Sequence, residues 1–427
     1  MRTNFGALFL LIVLIVRAAS ASDIDRPPIN YRTAIPKNPV EALKDQLLQG
    51  KTSLDHDDDH GFLRSLLKRL DIPVSSQVLV FSKTSLQRFR IGPATPRAIY
   101  FNDEIAVGFC VRGDVLEIAA ADPVVGTVFY SIDQDVESGA KIVRQTDRCL
   151  QCHESTGPRG YPGHLVRSVS AAKTGEPIFS MGTRRVDHST PFEERWGGWF
   201  VTGTSGKQQH RGNRMFAPDT KEPIGKDGVN VTDLKAFLSP QQYLAPSSDI
   251  VALMVLEHQN EGHNRLVRAN FLTRLAQAER IELNKALGQP ADQYVEGITR
   301  RIASACEPVV EYFLFSKEAP LTDAIVGTSP FAADFEKRGP IDAKGRSLRT
   351  FDLQTRLFRY PLSYLIYSQA FAGLPNEAKD FIYVRLRQVL TNRDHSGRFD
   401  HLSAEDRVAI LEILEDTLPA LPKNRRQ

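Results

Sequence analysis

The chain of 427 residues predicts an α+β fold: an antiparallel β meander in the N-terminal half, a loop-rich middle segment and a mainly helical C-terminal half. Three observations carry that reading. Residues 74–133 contain short runs rich in Val, Ile, Phe and Tyr, separated by turn clusters. From residue 247 onward apolar side chains recur at helical spacing. Between these halves, residues 141–245 are dense in Gly, Arg and His and follow neither period.

The first segment, Met1 to Ala21, reads as an export leader. Arg2 precedes an apolar run from Phe5 to Val16, and Ala19-Ser20-Ala21 forms a small-residue cleavage site. The run is shorter than the roughly 20 residues of a membrane span. The mature chain is therefore expected to begin near Ser22, to be exported to a periplasm-like compartment, and to contain no membrane span. Removing Arg2 and Arg17 leaves 52 basic against 51 acidic residues. That balance provides no electrostatic footprint for nucleic acid.

Residues 22–73 form a proline-punctuated lead-in followed by helices over Val40 to Leu48 and in "FLRSLLKRL". Asp55, Asp57 and Asp59 imitate a calcium loop, but His60 and Leu66 stand where Gly and Glu are needed. A solvated acidic turn capping the next helix is the better reading. Residues 74–140 hold "SQVLVFS", "RAIYF", "EIAVGFCV", "VLEIAA" and "GTVFYSI", which predict a meander of four or five strands.

The 141–245 segment opens with "DRCLQCHES", where Cys149 and Cys152 are two residues apart and His153 follows directly. Three chemistries fit such a pair. Structural zinc needs four ligands, and no second Cys or His pair with suitable spacing is present. A thioredoxin-type pair needs a helix start after a buried strand, which "AKIVRQTDR" matches poorly. Haem attachment uses all three residues: two thiols for thioethers to the vinyl groups and an adjacent imidazole under the iron. The compartment expected from the leader suits that chemistry. The pattern predicts one covalent haem c with His153 as proximal ligand.

Several residues compete for the opposite side of the iron: Met181, Met215, Met254, His164, His188, His210, His258 and His263. Met254 and His258 share a helical face in "SSDIVALMVLEHQNEGHNRLV", from which a thioether or an imidazole could reach the iron, and His258 ranks first. Arg159, Arg167, Arg184, Arg185 and Arg195 are candidate partners for haem propionates. Trp196 and Trp199 flank Gly197-Gly198, a pattern that lets backbone approach a flat ligand. Cys110 and Cys306 make an even pair in an exported chain, and both a disulfide and two buried free thiols fit them.

Residues 246–427 predict a helical lobe. Phe351 to Leu421 reads as helical through "YPLSYLIYSQAF", "PNEAKDFIYVRLRQVL" and "SAEDRVAILEILEDTL", with Ser403 and Asp406 as a capping box. "NRDHSGRFDHLS" reads as an interhelix turn.

The runs "CLQCHES", "GHLVRSV", "DHSTPFEERWGGWFVTG", "HRGN" and "MVLEHQNEGHN", with "VLVFSKTSLQ", "YFND" and "YPLSYLIYSQAF", resemble large bacterial exported mono-haem proteins described only as cytochrome c domain-containing. The resemblance covers most of the mature chain. It implies one haem c on Cys149, Cys152 and His153 and electron transfer with a redox partner protein. It also implies a bulky aromatic where this chain has Cys110, which weakens the disulfide reading. Two further functions fit the same anchor: a mono-haem oxidoreductase acting on a small molecule such as peroxide or a nitrogen or sulfur oxide, and a haem-based sensor.

Overall fold

Physical reasons for the elements are local and visible along the chain. The structure, a computed structural model, describes residues 23–419 apart from 138, 156–159 and 218–226. The leader and Arg159 lie outside the described residues. Helix α1, Pro39–Leu48, starts where the Asn38 side chain accepts hydrogen bonds from Val40 and Glu41 N–H, both at 3.1 Å. Helix α2, Leu63–Arg69, buries Leu63, Leu66 and Leu67. Asp57 does not cap it. Its Oδ1 accepts instead from Asp59 and His60 N–H, closing the turn before the helix.

Each of the five β-type runs becomes a strand: β1 Val78–Val80, β2 Arg97–Phe101, β3 Ile105–Phe109, β4 Val115–Asp122 and β5 Gly126–Asp133. A sixth, β6 Ile142–Gln145, pairs with β5. The α+β class is as expected, and the sheet is larger than the meander alone. Its order is β6-β5-β4-β3-β2-β1, extended beyond β1 by β9, Trp199–Phe200. All described pairings within it are antiparallel.

Alternation gives this sheet two unlike faces. Ala98, Tyr100, Val107, Leu116, Ile118, Tyr130 and Ile132 are buried in one core with α1 and α2. The opposite face carries Ile99↔Gly108↔Glu117↔Ser131 in one cross-strand row and Phe101↔Ala106↔Ala119↔Phe129 in the next.

After β6 comes a one-turn helix α3, Leu150–His153. The chain then makes the hairpin β7 Arg167–Val169 with β8 Thr183–Arg185, β9, and β10 Gly203–Thr204. Asp249 accepts from Val251 and Ala252 N–H and starts α4, Ile250–Ala286, of 37 residues. Helix α4 runs past the strand turns: Gln259 donates to Asn102 O, and Asn270 donates to Pro123 O. Helix α5, Glu296–Phe313, packs on α4 through Ile298, Ile302, Val309, Val310 and Phe313, each worth about 1.5–3 kcal/mol of burial. Strand β11, Val326–Gly327, pairs with β10, and α6, Phe331–Glu336, follows.

One expectation is corrected in the late segment. "YPLSYLIYSQAF" is not a continuous helix but a 3-10 turn over Tyr364–Tyr367 and a short α7, Gln369–Ala372. Ser363 accepts from Leu365 N–H and Ser368 from Phe371 N–H, so two serine caps divide the run. Helices α8, Asn376–Leu390, and α9, Ala404–Thr417, agree with the pattern, and Ser403 with Asp406 forms the capping box. Among the described residues no helix is long and apolar enough to cross a membrane.

Candidate functional site

The Cys149–His153 turn stands at the edge of the second sheet face, directly after β6. Residues three apart on a helical turn share a side, so Cys149 and Cys152 face one region. Both are free thiols; Cys149 is half-buried and Cys152 is exposed. Burial pushes the Cys149 thiol up to about 11. A redox-active pair needs a lowered pKa, so this environment speaks against thiol exchange.

His153 is fixed at both ends of its backbone and at one ring nitrogen. Its N–H donates to Cys149 O at 2.9 Å, and its carbonyl accepts from Gly163 N–H at 2.9 Å. Its Nδ1 lies 2.8 Å from Gly163 O. A carbonyl only accepts, so Nδ1 carries the proton and Nε2 presents its lone pair. Among the described residues Nε2 takes no hydrogen bond. Burial lowers the imidazole pKa, with the Gly163 carbonyl opposing, and so favours the neutral ring that a metal requires. The ring packs on Phe129 with centroids 4.6 Å apart.

Phe129 leads from the motif onto the sheet. In the two rows beside it Ile99, Ala106, Glu117, Ala119 and Ser131 are only half-buried, whereas the same strands are buried on the other face. Ala106 packs toward the helical core, and Arg97 with Glu117 covers Gly108. Arg97 pairs with Glu117 at 2.5 Å, within electrostatic reach of His153. Two free thiols on one helical turn and the His153 lone pair, with Phe129 beside the ring, are the donor set that a covalently held haem uses. The residues present therefore suit a haem.

Behind His153 the chain is anchored to α4. Asn264 Oδ1 accepts from His164 N–H at 2.8 Å, and Asn264 Nδ2 donates to His164 O at 3.0 Å. His164 and His263 are buried with ring centroids 5.8 Å apart. His263 Nε2 bonds Asp103 O at 2.7 Å. His164 Nε2 is buried and, among the described residues, has no hydrogen-bond partner. Burial holds both imidazoles below their ordinary pKa.

His258, ranked first for the opposite side of the iron, has both ring nitrogens in contact with protein groups. Its Nδ1 is 2.8 Å from His188 Nδ1 and its Nε2 is 2.8 Å from Ser363 Oγ. Both nitrogens are thus engaged, and the ring stacks on Phe315 and Tyr312 in the helical core. It offers no lone pair to a metal in this arrangement. His210 is also buried, accepts from Gly212 N–H and lies edge-on to Trp196; burial holds it down at about 4. Met254 lies in the apolar core, while Met181 and Met215 are half-buried in the loop segment.

The described arginines have other partners than a free carboxylate. Arg195 is buried, pairs with Glu257, and donates to Thr190 O and His188 O. Burial pushes the Glu257 carboxyl up to about 7, against the pull of Arg195 and Trp196. Arg184 pairs with Glu194, Arg185 lies near Glu261, and Arg167 donates to Thr183 Oγ1. The tryptophan expectation changes too. Trp196 Nε1 donates to Glu257 and Trp199 Nε1 to Arg167 O. A Cβ at Gly197 would meet Val169 O at 2.8 Å, and one at Gly198 would meet Ser82 Cβ at 2.7 Å. Close approach there is to the chain itself. Cys110 and Cys306 are buried and unpaired.

Gly163 and Asn264 were missed at the level of sequence. Gly163 in "YPGH" carries no chemistry of its own, and Asn264 acts across 100 residues. No protein-family model, curated protein or solved structure matches the chain.

Proposed function

We propose that this protein is an exported c-type cytochrome that holds one haem covalently and transfers electrons. The observation that supports the reading best is the His153 arrangement: Nδ1 is tied to Gly163 O at 2.8 Å, and Nε2 is left as a lone pair beside two free thiols. Cys149 and Cys152 would form the two thioethers and His153 the axial bond. Bound there, haem supplies a one-electron iron couple. Phe129 and half-buried Ala119 on the same sheet face would shield part of such a group from water. Cys152 is exposed, so a group held there would be reachable from solvent by a redox partner protein. The resemblance to exported cytochrome c domain-containing proteins agrees with this reading.

The test is expression in a host with a working haem-attachment system, followed by denaturing gels stained for covalent haem. Wild type is expected to stain and Cys149→Ala/Cys152→Ala to lose the stain. A stained double variant, or an unstained wild type, overturns the proposal. Carbon monoxide added to the reduced protein then separates the functions on this anchor. Slow or no binding is expected of an electron carrier, and rapid binding would indicate the oxidoreductase or sensor.

A further inference from the structure

One peptide unit joins the candidate axial histidine to the long helix. Its oxygen, Gly163 O, accepts from His153 Nδ1 at 2.8 Å; its N–H, that of His164, donates to Asn264 Oδ1 at 2.8 Å. The peptide is planar, so fixing the N–H direction fixes the carbonyl direction as well. Asn264 Nδ2 also holds His164 O at 3.0 Å. The amide thus grips both main-chain groups of one residue. Asn264 itself is 2 % exposed, so water does not compete for these bonds. The chain Asn264 Oδ1···H–N–C=O···H–Nδ1 polarises in one direction, because each acceptor strengthens the next donor's partner.

We infer that Asn264 is a positioning residue for the axial imidazole, setting through the Gly163–His164 peptide the strength of the His153 Nδ1 hydrogen bond and hence the redox equilibrium of the bound iron. The inference rests on the haem reading above. A stronger Nδ1–H···O=C bond gives the ring more anionic character, makes it a more basic ligand and favours ferric over ferrous iron. Loosening the peptide does the reverse.

The experiment is a potentiometric titration of the haem-loaded chain as wild type, Asn264→Ala, Asn264→Asp and Asn270→Ala. Asn264→Ala is expected to keep covalent haem and to shift the equilibrium toward the reduced form by three- to tenfold, the upper figure being about 59 mV for one electron. Asn264→Asp keeps the acceptor and adds negative charge, so its shift is in the opposite direction. It also serves if the alanine variant fails to fold. Asn270→Ala removes a comparable grip on Pro123 O and Val124 O elsewhere on α4 and should stay within twofold of wild type. Retained haem with Asn264→Ala within twofold of wild type overturns this inference alone, as does an equal shift in Asn270→Ala. If only the aspartate variant folds, a potential at or above that of wild type overturns it. Absence of covalent haem in the wild type overturns the haem reading and this inference with it.

Discussion

Glu257→Ala is expected to be among the most damaging single substitutions in the chain. Its side chain is 0 % exposed and that of Arg195 is 3 % exposed. One carboxylate oxygen accepts from Arg195 Nη1 and the other from Trp196 Nε1. Truncation leaves the guanidinium charge buried with only the carbonyls of Thr190 and His188, and leaves the indole N–H without an acceptor. Breaking a buried ion pair on one side costs about 3–5 kcal/mol. An orphaned buried donor costs about 1–3 kcal/mol, and the two are not additive. A total of about 4–6 kcal/mol follows, a large part of the roughly 5–15 kcal/mol of an ordinary domain. Glu257→Gln keeps one acceptor oxygen and turns its NH2 toward the other donor, so it should recover only part of the loss. Arg195→Met/Glu257→Leu removes both charges and should recover most of the loss. Urea unfolding followed by tryptophan fluorescence measures this directly, because Trp196 and Trp199 are the only tryptophans. A Glu257→Ala protein within about 1 kcal/mol of wild type would refute the reasoning, as would a double variant as unstable as the single one.

Two other outcomes are expected. Burial raises the Glu104 carboxyl from 4.5 to about 8. The folded protein therefore keeps a proton that the unfolded chain releases, and stability falls as pH rises from about 4.5 to about 8. Glu104→Gln should gain up to about 4 kcal/mol at pH 8 and little at pH 4 in thermal or urea melts; an equal effect at both pH values would contradict the assignment. His258→Phe should lose about 2–3 kcal/mol, because His188 and Ser363 lose a shared partner, and under the proposed haem reading it should leave the haem attached with its spectrum unchanged. A changed iron ligation spectrum in a folded His258→Phe protein would restore His258 as the distal ligand.

What the sequence determined by itself was local. The five strand runs, the Asp249 and Ser403 caps, and the order of two thiols and an imidazole in CLQCH all depend on neighbours within a few residues. Such signals survive in one dimension because backbone preference, capping and covalent spacing need no distant partner. The tertiary structure decided everything that depends on pairing across the chain. It brought β9 to the far edge of the sheet and turned the serine-capped "YPLSYLIYSQAF" into two short turns. It gave both nitrogens of His258 to His188 and Ser363, which helical periodicity cannot reveal because it places a residue on a face without naming its partner. It spent Arg195 on Glu257 rather than on a ligand. It also selected Gly163, ten residues beyond His153, and Asn264, 100 residues beyond His164, as the support of His153. Their roles come from one carbonyl and one amide at hydrogen-bonding distance, and that distance exists only after the sheet and α4 have packed together.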